Sequence, residues 1–476
     1  MNILLCGIDL PHEQKTIVPL DLAYVKTFLQ ARAGVGNSFD FVQFAIQSFA
    51  YNPTFYQFQV KKSAHVIEEK NPDAAVFFLD NIIWSMAFYL GVFVDLAREV
   101  KKKNPHIAIG LQSYKVDSAA AKEILRKNTS IDFFIIGDPG IPLREAARKE
   151  TWEDIPGIMC RKTFLCKPER ARALSNNKRL DAMPSPYLVG NLDSYLPRRQ
   201  VLLSTKQGCP GRCYYCFRSV KFTGVRFFSF ERVMKELKYL AERGIKNAFV
   251  IDDCFAVSTA YLESFHFYVK KTFGRRGNPV SLAVMCRPEQ LSERNIFLLQ
   301  SINVSGVQIG LQSINEKVGY IFGRESSLGH IVKIMRLLRE AGILAVQIDL
   351  IMGLPGDTFA DFKRSLQFAF EAKPQSIQVK QLSLNPLTRF DLNRRDFGIK
   401  VEVGQNKFAV PFVTATNTYS QRDMKRSHDY LVEFAKKNIH LGWKITTGYG
   451  RIFNVPGRRI LETRRSILNN KGRGNP

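Results

Sequence analysis

The chain lacks the marks of a secreted or membrane protein. Eight cysteines in 476 residues lie scattered, which fits reduced thiols available to metals rather than extracellular disulfides. The start MNILLCGIDLPHEQ has neither the basic region nor the long apolar core of a signal peptide, and reads as a first β-strand. The longest apolar run, IIWSMAFYLGVFV from Ile82 to Val94, falls short of the roughly 18 residues that suggest a membrane span. A buried helix is expected there, and a cytoplasmic location for the chain. Acidic residues are also scarce, at 43 Asp and Glu against 69 Lys and Arg, for a net charge of +26. That excess suits an acidic partner such as RNA, anionic lipid or a phosphorylated substrate. It suits equally a protein whose charges are spread over solvated helix faces. No short repeat is visible beyond a strand–helix rhythm.

What is present is core. Hydrophobic residues make up 45% of the chain, with 36 Phe, which excludes a disordered chain. The length predicts two or three domains. Residues 1–150 alternate apolar runs (2–8, 39–46, 74–80, 106–112, 131–138) with helical patterns (20–32, 88–103). This predicts a doubly wound parallel sheet of Rossmann type, whose ligands bind beyond the strands' carboxyl ends. Residues 151–198 break the rhythm and read as a linker with a small hairpin. Its Cys160 and Cys166 lack a second pair and read as inert thiols.

From 199 to 398 the alternation returns. Strands are predicted at 200–206, 247–253, 280–286, 304–312, 344–353 and 376–384, with helices such as 230–244 and 328–342 between them. A partial, six-stranded (β/α) barrel fits, with its active site at the strand carboxyl ends. Residues 399–476 form a small α+β extension ending in a basic, solvated tail from Gly457.

KQGCPGRCYYCFRS, Lys206 to Ser219, follows the first barrel strand. Cys209, Cys213 and Cys216 stand at C-x3-C-x2-C, and Pro210 and Gly211 allow a tight turn that brings sulfurs together. A structural zinc site closes with four protein ligands, and an ordinary [4Fe–4S] cluster takes four cysteines. Three on one short loop leave a coordination position open, which is what catalysis needs.

These residues, with aromatic Tyr215 just before the last cysteine, resemble the signature of the radical S-adenosylmethionine (radical SAM) family. The resemblance implies a [4Fe–4S] cluster on Cys209, Cys213 and Cys216. Its fourth iron would be chelated by S-adenosylmethionine, which is cleaved reductively to a 5′-deoxyadenosyl radical. Four later segments strengthen it over about 200 residues. FVIDDCF would bring Asp252 and Asp253 near the methionine moiety or the substrate, although a helix-start pair reads as well. VMCRPEQL places Arg287 where a carboxylate partner is expected. IGLQSINEKV offers Gln312 and Ser313 to the cosubstrate. DLIMGLPGDT, with Gly353, Pro355 and Gly356, would let the backbone approach adenine.

The domain order resembles the cobalamin-binding, class B-like methyltransferase branch of that family, in which a Rossmann-like domain holds vitamin B12. PLDLAYVKTFLQA looks like its first helix. Asn81 and Trp84 would cover the cobalt's lower face, and Gly137 would lie near the corrinoid. There are departures. Gln112 and Ser113 replace a Gly-Gly turn, and Gly137-Asp138-Pro139-Gly140 replaces an acidic turn. Asp9 and His12 are misspaced for a cobalt-ligating Asp-x-His-x-x-Gly, so His12 reads as a loop histidine.

The resemblance implies C-methylation of an unactivated carbon of a small molecule, with a flavodoxin or ferredoxin as reductant, and the clustered Arg and Lys point to an acidic substrate. Cyclisation or oxidative rearrangement is the nearest alternative. A tRNA methylthiotransferase-like role needs further N-terminal cysteines, and only Cys6 is there, so nucleic acid is not the expected partner. A non-catalytic cobalamin or metal sensor would show degenerate cysteines, and these are intact. Tyr419, His428 and Tyr430 are candidate proton or hydrogen donors on the segment expected to line the substrate opening.

Overall fold

The computed structural model describes residues 1–9, 18–32, 34, 36–45, 53–79, 86–114, 116–164, 180–196, 201–218, 224–321, 327–402, 411–438, 440–446 and 453–455. It divides into two compact units. One is built from 1–206, 226–248 and 404–410, the other from 207–225, 249–403 and 411–476.

The first unit holds a six-stranded sheet of order β2-β1-β3-β4-β5-β6. The strands are β1 (Asn2–Asp9), β2 (Ser38–Ala45), β3 (Ala74–Phe78), β4 (Ala108–Ser113), β5 (Phe133–Ile136) and β6 (Ile158–Cys160). Pairing is parallel from β2 through β5, and β6 adds antiparallel. Five helices cross between the strands: α1 (Leu20–Gln30), α2 (Pro53–Lys70), α3 (Met86–Lys103), α4 (Ser118–Lys127) and α5 (Gly140–Lys149). The apolar run expected as a buried helix enters α3, where Leu90, Val92, Phe93 and Val94 are buried.

Alternate residues of each strand feed opposite faces. Leu4, Cys6, Phe77, Ile109, Leu111 and Phe134 share one core with Val60, Phe93 and Ile124, and Phe93 stacks on Phe77 at 4.8 Å. On the other face Phe133 stacks on Trp152 at 4.0 Å. Gly110 is required there, because a Cβ would stand 2.2 Å from the Phe133 ring.

The segment read as a linker is more ordered than expected. β6 extends the sheet past residue 150. Leu180, Tyr187 and Leu192 are buried, and the Tyr187 hydroxyl donates to the carbonyl of Leu202, in the short strand β7 (Val201–Leu203). Strands β8 (Lys206–Gln207) and β9 (Arg226–Phe227) form a two-stranded ladder. They are followed by α6 (Phe230–Glu242), which Ser229 caps by accepting from the Arg232 N–H. Arg232 pairs with the buried Glu236 at 3.1 Å. Proline and polar residues here are not spacers; they fix a chain path whose apolar residues still find a core.

The second, larger sheet has the order β18-β17-β14-β13-β12-β11-β10-β7. Its strands are β10 (Asn247–Val250), β11 (Ser281–Cys286), β12 (Val304–Gln312), β13 (Ala345–Met352), β14 (Ser376–Gln381), β17 (Gly442–Thr446) and β18 (Phe453–Val455). β7 and the start of β10 are counted with the first unit. From β11 to β17 all pairings are parallel, and β18 closes on β17 antiparallel. The result is a curled half-barrel. β17 and β18 come from the C-terminal extension, so that segment lengthens the barrel sheet rather than standing beside it.

The helices are α7 (Thr259–Phe273), α8 (Glu293–Ser301), α9 (Glu316–Ile321), α10 (Leu328–Glu340), α11 (Phe359–Glu371), α12 (Arg389–Leu392) and α13 (Gln421–Lys437). Six of them are preceded by a Ser or Thr whose hydroxyl accepts an orphan backbone N–H: Ser258, Ser292, Ser327, Thr358, Thr388 and Ser420. Each such cap contributes about 1 kcal/mol. A two-stranded ladder, β15 (Lys400–Glu402) with β16 (Phe412–Ala415), lies between α12 and α13. Among the described residues no helix is long and apolar enough to cross a membrane.

Candidate active site

The three-cysteine loop, the start of the β10–α7 loop, the end of β11 and the turns after β12 and β13 belong to the second unit. In a parallel barrel these are carboxyl-end positions, where catalytic groups gather.

The loop turns at Gly208, whose φ is 92°, in the left-handed region that glycine adopts freely. The Gly211 N–H points at the Cys209 sulfur, 3.3 Å away, and the Cys216 N–H bonds to the Cys213 carbonyl at 3.1 Å. Gly211 is demanded by Arg287, since a Cβ would stand 1.8 Å from its Nη1. That same nitrogen donates toward Cys213 Sγ at 3.7 Å, while Nη2 is held by Glu289 at 2.9 Å. Arg287 thus bridges the Glu289 carboxylate and the Cys213 sulfur.

The electrostatics favour anionic sulfur on this loop. A hydrogen bond with the Cys254 thiol, the Gly211 N–H and the Arg287 charge bring Cys209 down to about 6, against the opposing effect of burial. The hydrogen bond with Cys209 and burial push Cys254 up, so Cys254 is the partner that keeps its proton. Cys254 also contacts the carboxamide oxygen of Gln290. Among the described residues no three His, Cys, Asp or Glu side chains converge as ligands of a single metal ion would. The loop's donor set suits a cluster instead, because each thiolate then holds a separate iron.

The aromatic residues of the loop anchor it. Tyr214 meets Phe390 and Phe397 edge-on at 5.9 and 6.5 Å, and its carbonyl accepts from the Phe390 N–H at 3.2 Å. Tyr215 packs on the cluster of Val318, Leu354, Leu384 and Val413, and its carbonyl accepts from Asn385.

The other expected residues sort clearly. Asp252 is 1% exposed, and Asp253 pairs with Arg218 of the cysteine loop at 3.1 Å. Neither starts a helix, because α7 begins at Thr259 behind Ser258. Gln312 takes a φ of 68°, which turns the chain so that the Ser313 hydroxyl donates to Asp357 at 3.0 Å. Asn315 donates to the Gly356 carbonyl at 3.3 Å. Gly353, at φ 86°, lies under Met424 of α13, where a Cβ would stand 2.3 Å from Cε. Pro355 is buried, and the Gly356 N–H donates to Thr418 at 2.9 Å. The turn after β13 is therefore clamped from both sides.

Tyr419 is fully buried and hydrogen-bonds Ser427, and Tyr430 meets Phe359 edge-on. These contacts are those of packing residues, not of a donor facing an opening. Gly137, at φ 89°, lies in the first unit beyond β5. Asn81, Trp84, His12 and Cys166 lie outside the described residues. Cys160 is buried in β6, its thiol donating to the Trp152 carbonyl.

One cluster escaped the sequence reading. Gln308, Gln347, Asp349 and Gln378 sit on the sheet face opposite the helices. Gln308 and Gln347 both donate to the Asp349 carboxylate, at 2.5 and 2.7 Å. Burial raises the Asp349 carboxyl, and Lys380 opposes this first. Barrel interiors are commonly branched and aliphatic, so this hydrogen-bonded polar wall departs from ordinary barrel packing. Its signal was in the strands: polar residues at alternate positions, Gln347 and Asp349, then Gln378 and Lys380.

Residues 203–369 match the radical SAM superfamily. Two solved structures share its fold over nearly its whole length. One is the radical S-adenosylmethionine methyltransferase TsrM from Kitasatospora setae with tryptophan substrate and a SAM analogue bound. It aligns with a TM-score of 0.71 at 16% identity, over 98% of this chain and 96% of that one. The other is the cobalamin-dependent S-adenosylmethionine radical enzyme OxsB, with a TM-score of 0.63 at 13% identity, over 98% and 71%. Among curated proteins, 2-(S-pantetheinyl)-carbapenam-3-carboxylate methyltransferase of Streptantibioticus cattleyicolor is 25% identical over 52% of this chain and 35% of its own length. The matches span less than two thirds of the curated relatives' own lengths.

Proposed function

We propose that this protein is a cobalamin-dependent radical SAM enzyme that methylates an unactivated carbon of a small molecule. The observation that carries the reading is the loop of Cys209, Cys213 and Cys216 at the carboxyl end of a parallel half-barrel, with Arg287 charge beside its sulfurs. The half-barrel's partner fold, a doubly wound sheet, supports a corrinoid. Its strands reverse order at β1, between β2 and β3, the kind of switch point where such sheets bind ligands. At the carboxyl end of β4 the Gln112 side chain is fully buried. Its nitrogen donates to the Gly137 carbonyl at 2.8 Å, while its oxygen has no hydrogen-bond partner among the described residues. A buried orphan acceptor costs about 1–3 kcal/mol, which fits an end that receives a donor-bearing ligand.

When bound, the cluster with S-adenosylmethionine supplies a 5′-deoxyadenosyl radical and cobalamin supplies the methyl group. The chain's own work is positioning. Cys209, Cys213 and Cys216 hold the cluster as thiolates, and Arg287, oriented by Glu289, stabilises their negative charge. The Tyr215 packing fixes the loop. Gln312, Ser313, Gly353 and Pro355 shape the cosubstrate's edge of the site, and Asp252 and Asp253 its acidic side. The substrate faces the polar wall of Gln308, Asp349 and Gln378. Lys380 and Lys444 are exposed on the same face, which suits an acidic molecule.

Replacing Cys209, Cys213 or Cys216 by Ala is expected to abolish iron incorporation and 5′-deoxyadenosine formation, whereas Cys160→Ala leaves both at wild-type levels. Retained 5′-deoxyadenosine formation in all three loop variants contradicts the reading.

A further inference from the structure

The reaction needs one electron delivered to the loop from outside, and one surface is built to receive its carrier. Helix α12 and its flanks carry the two most exposed large apolar side chains among the described residues, Leu387 at 63% and Leu392 at 68%. Leu387 is held at φ 62°, a backbone state that costs a bulky residue on the order of 1 kcal/mol or more. It is pinned there because its N–H donates to Asp391 at 2.9 Å. The exposure is therefore set by a fixed turn.

Around these leucines stand Arg394, Arg395 and Lys400, all exposed. They rim a groove of about 270 Å³ whose floor is Leu384, Ile399 and Val401. Among the described residues none of the three enters an ion pair, although acidic residues are close in sequence. Asp391 is committed to the turn, and Asp396 and Glu402 leave the three cations unpaired. Exposed leucines ringed by cations make a surface complementary to an acidic, partly apolar partner.

The patch is also the outer side of the element that grips the cysteine loop. The Phe390 N–H bonds to the Tyr214 carbonyl at 3.2 Å, and Tyr214 follows Cys213 directly. Arg389 lies over the Tyr214 ring at 4.7 Å. From the surface at Leu392 to a loop thiolate the connection is a short covalent path and one hydrogen bond.

We infer that α12, with Arg394, Arg395 and Lys400, is the docking face for a small acidic one-electron carrier protein of the flavodoxin or ferredoxin class. This rests on the proposed cluster. One electron leaves the carrier's reduced flavin or iron–sulfur centre, and the enzyme's cluster passes from its oxidised to its singly reduced state; no bond forms or breaks. Such redox encounters are small in area and steered by charge.

The test uses the holoenzyme and follows bleaching of the cluster absorbance in anaerobic stopped flow. Reduced flavodoxin serves as one donor and dithionite as the other. Arg394→Glu with Arg395→Glu is expected to slow reduction by flavodoxin about 10-fold or more at low salt. It should also weaken flavodoxin binding by a similar factor, abolish the salt dependence, and leave reduction by dithionite unchanged. Leu392→Asp should slow the flavodoxin reaction alone. Arg394→Gln with Arg395→Gln, gentler on folding, should give about a 3-fold loss. Variants with wild-type flavodoxin rates and affinity overturn the proposal. A wild-type protein with no cluster that dithionite can reduce overturns the cluster reading itself.

Discussion

At the residue scale the account turns on a few close approaches. Gly211 is where the backbone, the Cys209 sulfur and Arg287 meet. Gly211→Ala puts a methyl 1.8 Å from the Arg287 guanidinium, so either the loop or the arginine must move. Iron content of this variant is expected to fall to less than about half, with stability lowered by about 1–3 kcal/mol in urea unfolding. Full iron content would show that Arg287 is dispensable to the loop.

Asp357 offers a second test. Burial raises its carboxyl from 3.8 to about 7, so the folded state binds more protons than the unfolded one between those values. Its contribution to stability is therefore greatest below about pH 4, declines as pH rises, and is fully lost above about pH 7. Asp357→Asn keeps an acceptor for Ser313 without the charge. The variant should gain stability relative to wild type as pH rises from 4 to 7, by a few kcal/mol at most. Parallel pH–stability curves for the two proteins would contradict the raised carboxyl. The cysteines were legible because thiolate spacing on one loop is local. The neighbours that tune them, Cys254, Glu289 and Gln290, were not, since only the fold brings the ends of β10 and β11 to the loop.

At the element scale the strand–helix alternation was plain in the sequence, because apolar runs of period two and helical faces are local patterns. Caps were readable too. Thr358 and Asp361 form a reciprocal capping box at the start of α11, and Thr358→Ala is expected to cost about 1 kcal/mol of unfolding free energy. A loss below about 0.3 kcal/mol in denaturant unfolding would mean that packing, not the cap, sets that end. β6 and β17 were hidden for a different reason. Each is short, and each joins a sheet edge far away in sequence: β6 pairs Cys160 with Phe133, and β17 pairs Gly442 with Ser376. Pairing at that range leaves no local mark. The strands of the polar wall were legible because one face of each stayed apolar, but the convergence of their polar faces was not, since only the sheet brings Gln308, Asp349 and Gln378 together.

At the scale of the whole molecule, the chain is built from two α/β units of different winding. The net charge of +26 fits the unpaired cations at α12 and the lysines of the barrel wall, and does not require nucleic acid. The likeness to the radical SAM superfamily lies in residues 203–369. The corrinoid stands on the first unit's fold and on Gln112. The most direct measurement is therefore the iron and cobalt content of the protein purified anaerobically with iron and cobalamin supplied. The account predicts roughly four irons, as one [4Fe–4S] cluster requires, and about one cobalt per chain. Four irons with no cobalt, even after incubation with hydroxocobalamin, would contradict it, leaving the radical chemistry without the methyl carrier.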